Sequence, residues 1–313
     1  MPPPDDPRAR VIAAYGAYHA LLDGTSAARW WRFMNYGYVD VVDDEGRSTP
    51  VRSVVDLPPR MPGRNAARLV AELVGSEPLH GATVVDVGCG RGGTARLLAE
   101  VFGARRVVAL DLVPAAARAA GGAAPAVHAT VADAERLPLG TSTADAITNV
   151  ESSLHYPDLP AFYVEVARVL RPGGAFLYTD LLWADAGDAY LDALAAAGLD
   201  LELDDDITAN VLASRAQAAE REARALHAAG TDVDPDDAAR FTGVTGTAFT
   251  AGLQDGSWRY RLLRLRRTSR SPVRSSPVRS SAARSTEARF AAATAAADAA
   301  LGSFAATSGP GHK

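Results

Sequence analysis

The chain has 313 residues, 48% apolar and 22% charged, with one cysteine, Cys89. That is ordinary globular composition for one large domain or two small ones, able to bury a core without disulfides. A single cysteine excludes both an internal disulfide and a cysteine-rich zinc site. No stretch approaches the roughly 18 apolar residues of a spanning helix, and the Met1-Pro-Pro-Pro-Asp start has no basic, apolar leader. A soluble, cytoplasmic protein with no membrane partner is expected. The net charge of −5 conceals a split: residues 259–313 hold 11 basic and 2 acidic residues, leaving 21 basic against 35 acidic in 1–258. So acidic a body repels a phosphate backbone, which excludes nucleic acid as the expected partner and leaves a neutral or cationic small molecule.

The first predicted element is a helix over residues 10–22, with Val11, Ile12, Tyr15, Tyr18, His19 and Leu22 on one face. A dense aromatic patch from Trp30 to Tyr38 follows, then a turn-rich link ending at Pro62-Gly63. A second helix, about 65–74, is expected to bury Ala66, Leu69, Val70 and Leu73. From residue 83 short apolar runs alternate with helical stretches, the mark of repeated βαβ units. Strands are expected at 83–87, 106–111, 126–131, 144–150, 175–180 and 201–203, with helices near 94–102, 114–120, 159–170 and 189–197. Arg171-Pro172-Gly173-Gly174 reads as a helix stop and turn, and Trp258-Arg-Tyr260-Arg-Leu262 alternates like a last strand, ending near 265. The fold expected is α/β, doubly wound, with a mostly parallel sheet. Residues 1–64 would be an N-terminal helical cover and 65–267 the core, with a helical insertion at 207–250 over the site. Residues 268–313, where Ser-Pro-Val-Arg-Ser occurs twice, would be a disordered low-complexity tail.

Chemistry enters at Val84-Val85-Asp86-Val87-Gly88-Cys89-Gly90-Arg91-Gly92-Gly93. Gly88, Gly90 and Gly93 satisfy the Rossmann-like G-x-G-x-x-G spacing between a strand and a helix. Any ligand that needs close backbone approach uses such glycines. Asp86 separates the readings: a carboxylate near the strand end is expected to face the crevice, where it suits an ammonium group and not a pyrophosphate. Asp111 closes the second strand, where an acidic side chain accepts from both ribose hydroxyls. Asp133, followed by Ala134, ends the third strand, placed for an adenine amino group. Each aspartate alone reads equally well as a cap or loop charge. Three at the ends of three successive strands do not.

These motifs resemble the class I S-adenosylmethionine-dependent methyltransferases. Asp86-Val-Gly88-Cys-Gly90-Arg-Gly92 is similar to their first motif, Asp111 to their ribose acid and Asp133-Ala134-Glu135-Arg136-Leu137-Pro138 to their adenine loop. Arg168-Val-Leu-Arg-Pro172-Gly173-Gly174 is similar to their approach to strand five, so the likeness runs over roughly residues 65–205. Asn35-Tyr36-Gly37-Tyr38, Glu151-Ser-Ser-Leu-His155-Tyr-Pro-Asp158 and Asp206-Ile-Thr-Ala-Asn210-Val resemble bacterial natural-product enzymes, a group similar to sugar O-methyltransferases and tocopherol C-methyltransferases.

The resemblance implies S-adenosyl-L-methionine as cofactor, S-adenosyl-L-homocysteine as product and a small-molecule substrate. Its binding residues would be Asp86, Gly88, Gly90, Asp111, Leu112, Asp133, Ala134, Asn149 and Glu151. Tyr36 or Tyr38 would fold over the methionine end, where an aromatic face favours a sulfonium; core packing is the other reading of that patch. An alcohol nucleophile needs a positioned base. His155 is the candidate, with Asp180 on the neighbouring strand implied to orient it and to stabilise its protonated form; a merely structural histidine stays open. The other five histidines show no metal-ligand spacing, and Asp180, Asp185 and Asp188 suit a helix start, so no metal is expected. The function expected is O-methylation of a natural-product hydroxyl. A C- or N-methyltransferase and a non-methylating cyclase are the alternatives, while Asp86 and Asp133-Ala134 argue against a nicotinamide dehydrogenase. Monomer and homodimer are both open.

Overall fold

The computed structural model describes residues 6–23, 28, 31–42, 45–228 and 248–268. The predicted tail beyond Thr268, the middle of the 207–250 insertion and Trp30 lie outside the described residues. The strands are β1 (Thr83–Val87), β2 (Arg106–Asp111), β3 (Val127–Val131), β4 (Ala144–Val150), β5 (Leu170–Trp183), β6 (Leu199–Asp206) and β7 (Trp258–Arg267). They form one sheet in the order β3-β2-β1-β4-β5-β7-β6. β1 to β5 pair in parallel, and β7 runs antiparallel to both its neighbours. The helices are α1 (Pro7–Leu22), α2 (Arg64–Val74), α3 (Gly93–Glu100), α4 (Pro114–Ala120), α5 (Leu159–Val169), α6 (Gly187–Ala196), α7 (Thr208–Ala228) and α8 (Ala248–Asp255).

Successive strand residues point to opposite faces, so the apolar strands feed two cores. Val84, Val107, Ala146, Leu177 and Leu262 meet α2 and α3 on one side. Val85, Ile147, Phe176, Tyr178 and Leu263 meet α5 and α6 on the other. A parallel sheet covered on both faces explains the continuous apolar runs that mark these strands.

Several expectations need correction. Arg171–Gly174 is no turn between elements: β5 begins at Leu170, opposite Ala144, and regains register only at Ala175 opposite Ala146. The intervening residues bulge out of the strand, with Gly173 at φ 77. β6 runs from Leu199 to Asp206 and not only 201–203. Its acidic stretch is strand because β7 opposes it with arginines: Arg261 Nε donates to Asp204 at 2.9 Å and Arg266 to Glu202 at 2.8 Å. In α1, Ile12 is 38% exposed, and Ala14 is buried in its place. In α2, Ala67 and Ala71 are fully buried where Ala66 is only partly so. Before α2 the only described α-helix is α1; residues 31–42 and 45–62 form an extended strap over the first core.

Glu72 ties that strap down. It is fully buried on α2 and accepts from the Arg52 and Ser53 amides at 2.7 and 3.2 Å and from Arg68 Nε at 2.6 Å. Glu72→Ala leaves two amides without their acceptor and Arg68 with only Asp40, and should destabilise the fold by roughly 3–5 kcal/mol. Chemical denaturation measures this, and a loss below about 1 kcal/mol would show the strap to be held by other contacts.

Candidate active site

β1 lies between β2 and β4, so the chain leaves its two sides in opposite directions and a crevice opens at the carboxyl ends of the strands. The crevice holds an open cleft with an empty volume of about 940 Å³. After β1 the chain turns through Gly88, Gly90 and Gly92 at φ 71, 52 and 79, a conformation glycine adopts without penalty. A Cβ on Gly88 would collide with Ser152 Oγ, and one on Gly90 would stand 2.9 Å from Met34 Sδ. The bare backbone therefore forms one lip of the cleft. Asp111 braces it: Oδ2 accepts from Gly90 N at 2.8 Å and Oδ1 from Val113 N at 2.9 Å. Burial raises the Asp111 pKa and these two amides oppose the rise, while each oxygen keeps a lone pair for a ligand hydroxyl.

Gly88, Gly90, Asp111, Leu112, Asp133, Ala134, Glu151 and His155 all line the cleft. Asp133 is already engaged, since its Oδ2 accepts from Arg8 Nε of α1 at 2.8 Å and its Oδ1 from Glu135 N at 3.0 Å. Asp86, Asn149, Tyr36, Tyr38 and Asp180 stand elsewhere. Asp86 does not face the crevice: it is 1% exposed, beneath the glycine turn, and accepts from Thr148 Oγ1 at 2.7 Å. Strand alternation gives the cleft wall to Val87, its neighbour. Burial lifts the Asp86 carboxyl to about 7. Asn149 is also buried, donating to Val87 O and Tyr156 Oη at 3.0 Å each.

The aromatic strap is corrected too. Gly37, at φ 77 with its amide on Asn35 Oδ1, reverses the strap and sends Tyr38 into the core, where it is 1% exposed. Tyr36 gives its backbone amide to Glu151 Oε1 at 2.6 Å, and its ring lies 5.6 Å from the Arg215 guanidinium carbon. Arg32, Phe33, Met34 and Asn35 are the strap residues that reach the cleft.

On the opposite lip, Glu151 sits at φ 48 just after β4, in a left-handed conformation unusual for its type. Its Oε1 also accepts from Tyr260 Oη, and burial raises its carboxyl to about 8. His155 follows on a 3-10 turn, Ser153–His155. Its Nε2 stands 2.8 Å from Tyr15 Oη of α1, while Nδ1 is buried with no hydrogen-bond partner among the described residues. Burial lowers the imidazole pKa to about 4. Asp180 does not orient this ring: its carboxylate bonds to residues 152, 153, 154 and 181. The expected histidine–aspartate pair is replaced by a histidine–tyrosine pair.

Tyr15 and Arg8 are the cleft residues that sequence reasoning missed. Tyr15 lay on the predicted apolar face of α1, but an aromatic at helical spacing carries no sign of what it touches far along the chain. Among the described residues, no cluster of histidine, cysteine and carboxylate side chains is suited to a metal, and no helix is long and apolar enough to cross a membrane.

Known proteins share the fold and the family of this chain. The Methyltransferase domain family matches residues 85–178. A phthiotriol/phenolphthiotriol dimycocerosates methyltransferase of Mycobacterium leprae is 31% identical over 194 residues, covering 59% of this chain and 69% of that protein. A fatty-acid O-methyltransferase of Mycolicibacterium smegmatis is 37% identical over 152 residues, 47% of this chain, and the match spans only about half, 52%, of that relative's length. The solved structure of the cyclase SpnF superposes with a TM-score of 0.59 at 21% identity, over 82% of this chain and 95% of that one, a likeness of fold. The chain belongs to the class I S-adenosylmethionine-dependent methyltransferases.

The cleft fits that family's cofactor. With the cofactor bound, the glycine lip would give bare backbone, Asp111 lone pairs for the ribose, Leu112, Val11 and Ala134 apolar walls, and Glu151 a carboxyl for the sulfonium; all of them line the cleft. Asp111→Ala should weaken S-adenosylhomocysteine binding by about 1.5–3 kcal/mol in calorimetry, the worth of hydrogen bonds to a charged acceptor; unchanged affinity would remove Asp111 from the site. Glu151 generates a pH prediction. With its pKa near 8, the ligand-free chain holds this carboxyl mostly neutral at pH 7, and a bound sulfonium favours the carboxylate. S-adenosylmethionine binding should therefore release protons and tighten as pH rises toward 8, while the uncharged thioether product shows a smaller rise. Glu151→Gln should abolish the difference; two parallel pH profiles in the unaltered chain would sink this role.

Proposed function

We propose that the chain is an O-methyltransferase that methylates a hydroxyl of a small apolar natural product. The observation that carries the reading is the Tyr15–His155 pair on the lip facing the glycine turn, within one cleft. Relatives named for a fatty acid and for phthiotriol dimycocerosates support an apolar acceptor. When bound, the cofactor supplies a methyl carbon activated by a sulfonium. The chain's task is alignment, since in-line displacement needs nucleophile and methyl held in one geometry. Phe33, Tyr15 and Tyr156 shape the wall where the acceptor would lie.

As the acceptor oxygen gains the methyl it must lose its proton. Tyr15 Oη is placed to take it while passing its own proton to His155 Nε2. An imidazole with a pKa near 4 is a weak base, so the relay serves a proton released late in the displacement. It also leaves His155 neutral throughout the physiological range. Asp180 does not stabilise the protonated ring, because the two side chains share no bond and burial alone displaces the His155 pKa.

Tyr15→Phe and His155→Ala should each lower kcat by roughly 10²–10⁴, with S-adenosylhomocysteine affinity unchanged and little further loss in the double variant. Labelled methyl donor with a panel of hydroxylated lipids and polyketides measures this. Near wild-type rates in both variants would remove the relay and favour a carbon or nitrogen nucleophile. A product of unchanged mass would favour a cyclase on this fold.

A further inference from the structure

Asp180 lies on β5 and His155 follows the neighbouring β4, yet the aspartate spends its hydrogen-bonding capacity on the backbone beside the histidine. Asp180 is 1% exposed. Its Oδ2 accepts from the amides of Ser152, Ser153 and Leu154 at 3.0, 2.7 and 3.3 Å, and from Ser153 Oγ at 2.6 Å. Oδ1 accepts from Leu181 N at 2.8 Å. Ser153 Oγ also stands 2.7 Å from Tyr178 Oη; since the serine proton goes to Asp180, the tyrosine is the donor in that bond. Burial raises the Asp180 pKa and these donors hold it to about 6, so the carboxylate is ionised at neutral pH.

Successive amides converging on one carboxylate oxygen repeat, within a short turn, the way an acidic cap satisfies the open start of a helix. The oxygen sets where residues 152–154 lie and, through them, the side chains on either side. The one that follows is His155, which this turn holds against Tyr15; Glu151, which precedes it, has holds of its own, its amide on Thr179 O at 2.9 Å and its carboxyl on Tyr36 N at 2.6 Å. A carboxylate serving as charge partner would bond to the imidazole and raise its pKa. Here the ring is displaced only downward, by burial.

We propose that Asp180 is a positioning residue for the methyl-acceptor side of the cleft, acting through the backbone amides of residues 152–154 and not as the charge partner of His155. The proposal rests on the methyltransferase reading above. Asp180→Asn keeps the volume but turns one acceptor oxygen into a donor, so an amide on one side or the other loses its partner. Hydrogen exchange at the 152–154 amides should accelerate by roughly 10–100-fold, the loss expected for bonds to a charged acceptor. kcat should fall by a similar factor while KM for the methyl donor and S-adenosylhomocysteine affinity hold, and the His155 titration followed by NMR should stay in place. Ser153→Ala removes the hydroxyl's bonds to Asp180 and Tyr178 but keeps the three amides, and should show the same pattern at smaller size.

A downward shift of the His155 titration by about one pH unit in Asp180→Asn, with exchange at 152–154 unchanged, would overturn the proposal in favour of a direct charge pair. So would a loss of S-adenosylhomocysteine binding in step with kcat, which would make Asp180 mere scaffold. If Asp180→Asn does not fold, unaltered exchange and kcat in Ser153→Ala overturn it alone. Exchange and titration need no turnover. Absence of methyl transfer would therefore sink the functional reading while leaving these two measurements to decide the role of Asp180.

Discussion

The contact between β1 and β4 is the constraint on which the site depends. These strands meet in the centre of the sheet, with Asp86 opposite Thr148 and Val87 opposite Asn149. At those rungs side chains reinforce the ladder: Thr148 donates to the Asp86 carboxyl and Asn149 to the Val87 carbonyl. One residue further on, the strands part, and the glycine turn and the 151–156 segment become the two lips. Because both lips grow from bonded rungs, their separation is set by strand spacing, not by loop conformation. Methyl transfer suits such a frame, since misplacing the reacting atoms by about 1 Å costs roughly 10²-fold in rate.

The same frame concentrates buried acid. Asp86, Asp180 and Glu151 have pKa values near 7, 6 and 8, and burial is the leading cause each time. An acid whose folded pKa lies above its unfolded value binds more protons folded than unfolded. Its contribution to stability is therefore present at low pH and is lost as pH rises from the unfolded pKa through the folded one. For these three groups that window runs from about 4 to about 8. Of the three only Glu151 lines the cleft, so a cation bound there offsets its part of the cost, because a ligand that binds only the native state stabilises it. Asp86 and Asp180 bear theirs inside the frame, on hydrogen-bond donors of the chain itself.

Legibility followed the locality of the interaction. β1, β2, β4 and β5 were readable because burial within a parallel sheet writes short apolar runs, whereas the edge strand β3, largely exposed, showed only as the next beat of the βαβ alternation. The glycine turn was readable because left-handed backbone demands one residue type. β6 was nearly lost, since its carboxylates look like a loop until the arginines of β7, some 60 residues later, are placed beside them. Asp86 was misdirected for a subtler reason: its position near the strand end was plain, but the face it would take depended on where the pleat ended. Asp180 was recognised as important and given the wrong neighbour. Its true partners are main-chain amides, which every residue carries and no sequence pattern marks.

Tyr15 was beyond sequence reading altogether, and the way α1 is held gives its position consequence. Val11 packs on Val113 and Ala116, a small apolar contact. Tyr18, His19 and Leu22 are buried as well. Polar ties add to this packing: Arg8 to Asp133 and Glu135 near one end, Tyr15 to His155 in the middle, and Arg91 to Asp23 and His19 near the other end. The part-exposed Arg8–Asp133 pair contributes little by itself. Yet Arg8, Val11 and Tyr15 of this helix line the same cleft as the glycine turn. A ligand filling the cleft touches α1 and the strand ends together, so its binding stabilises both. One helix thus supplies a wall of the cleft and the side chain that meets His155 on the acceptor lip.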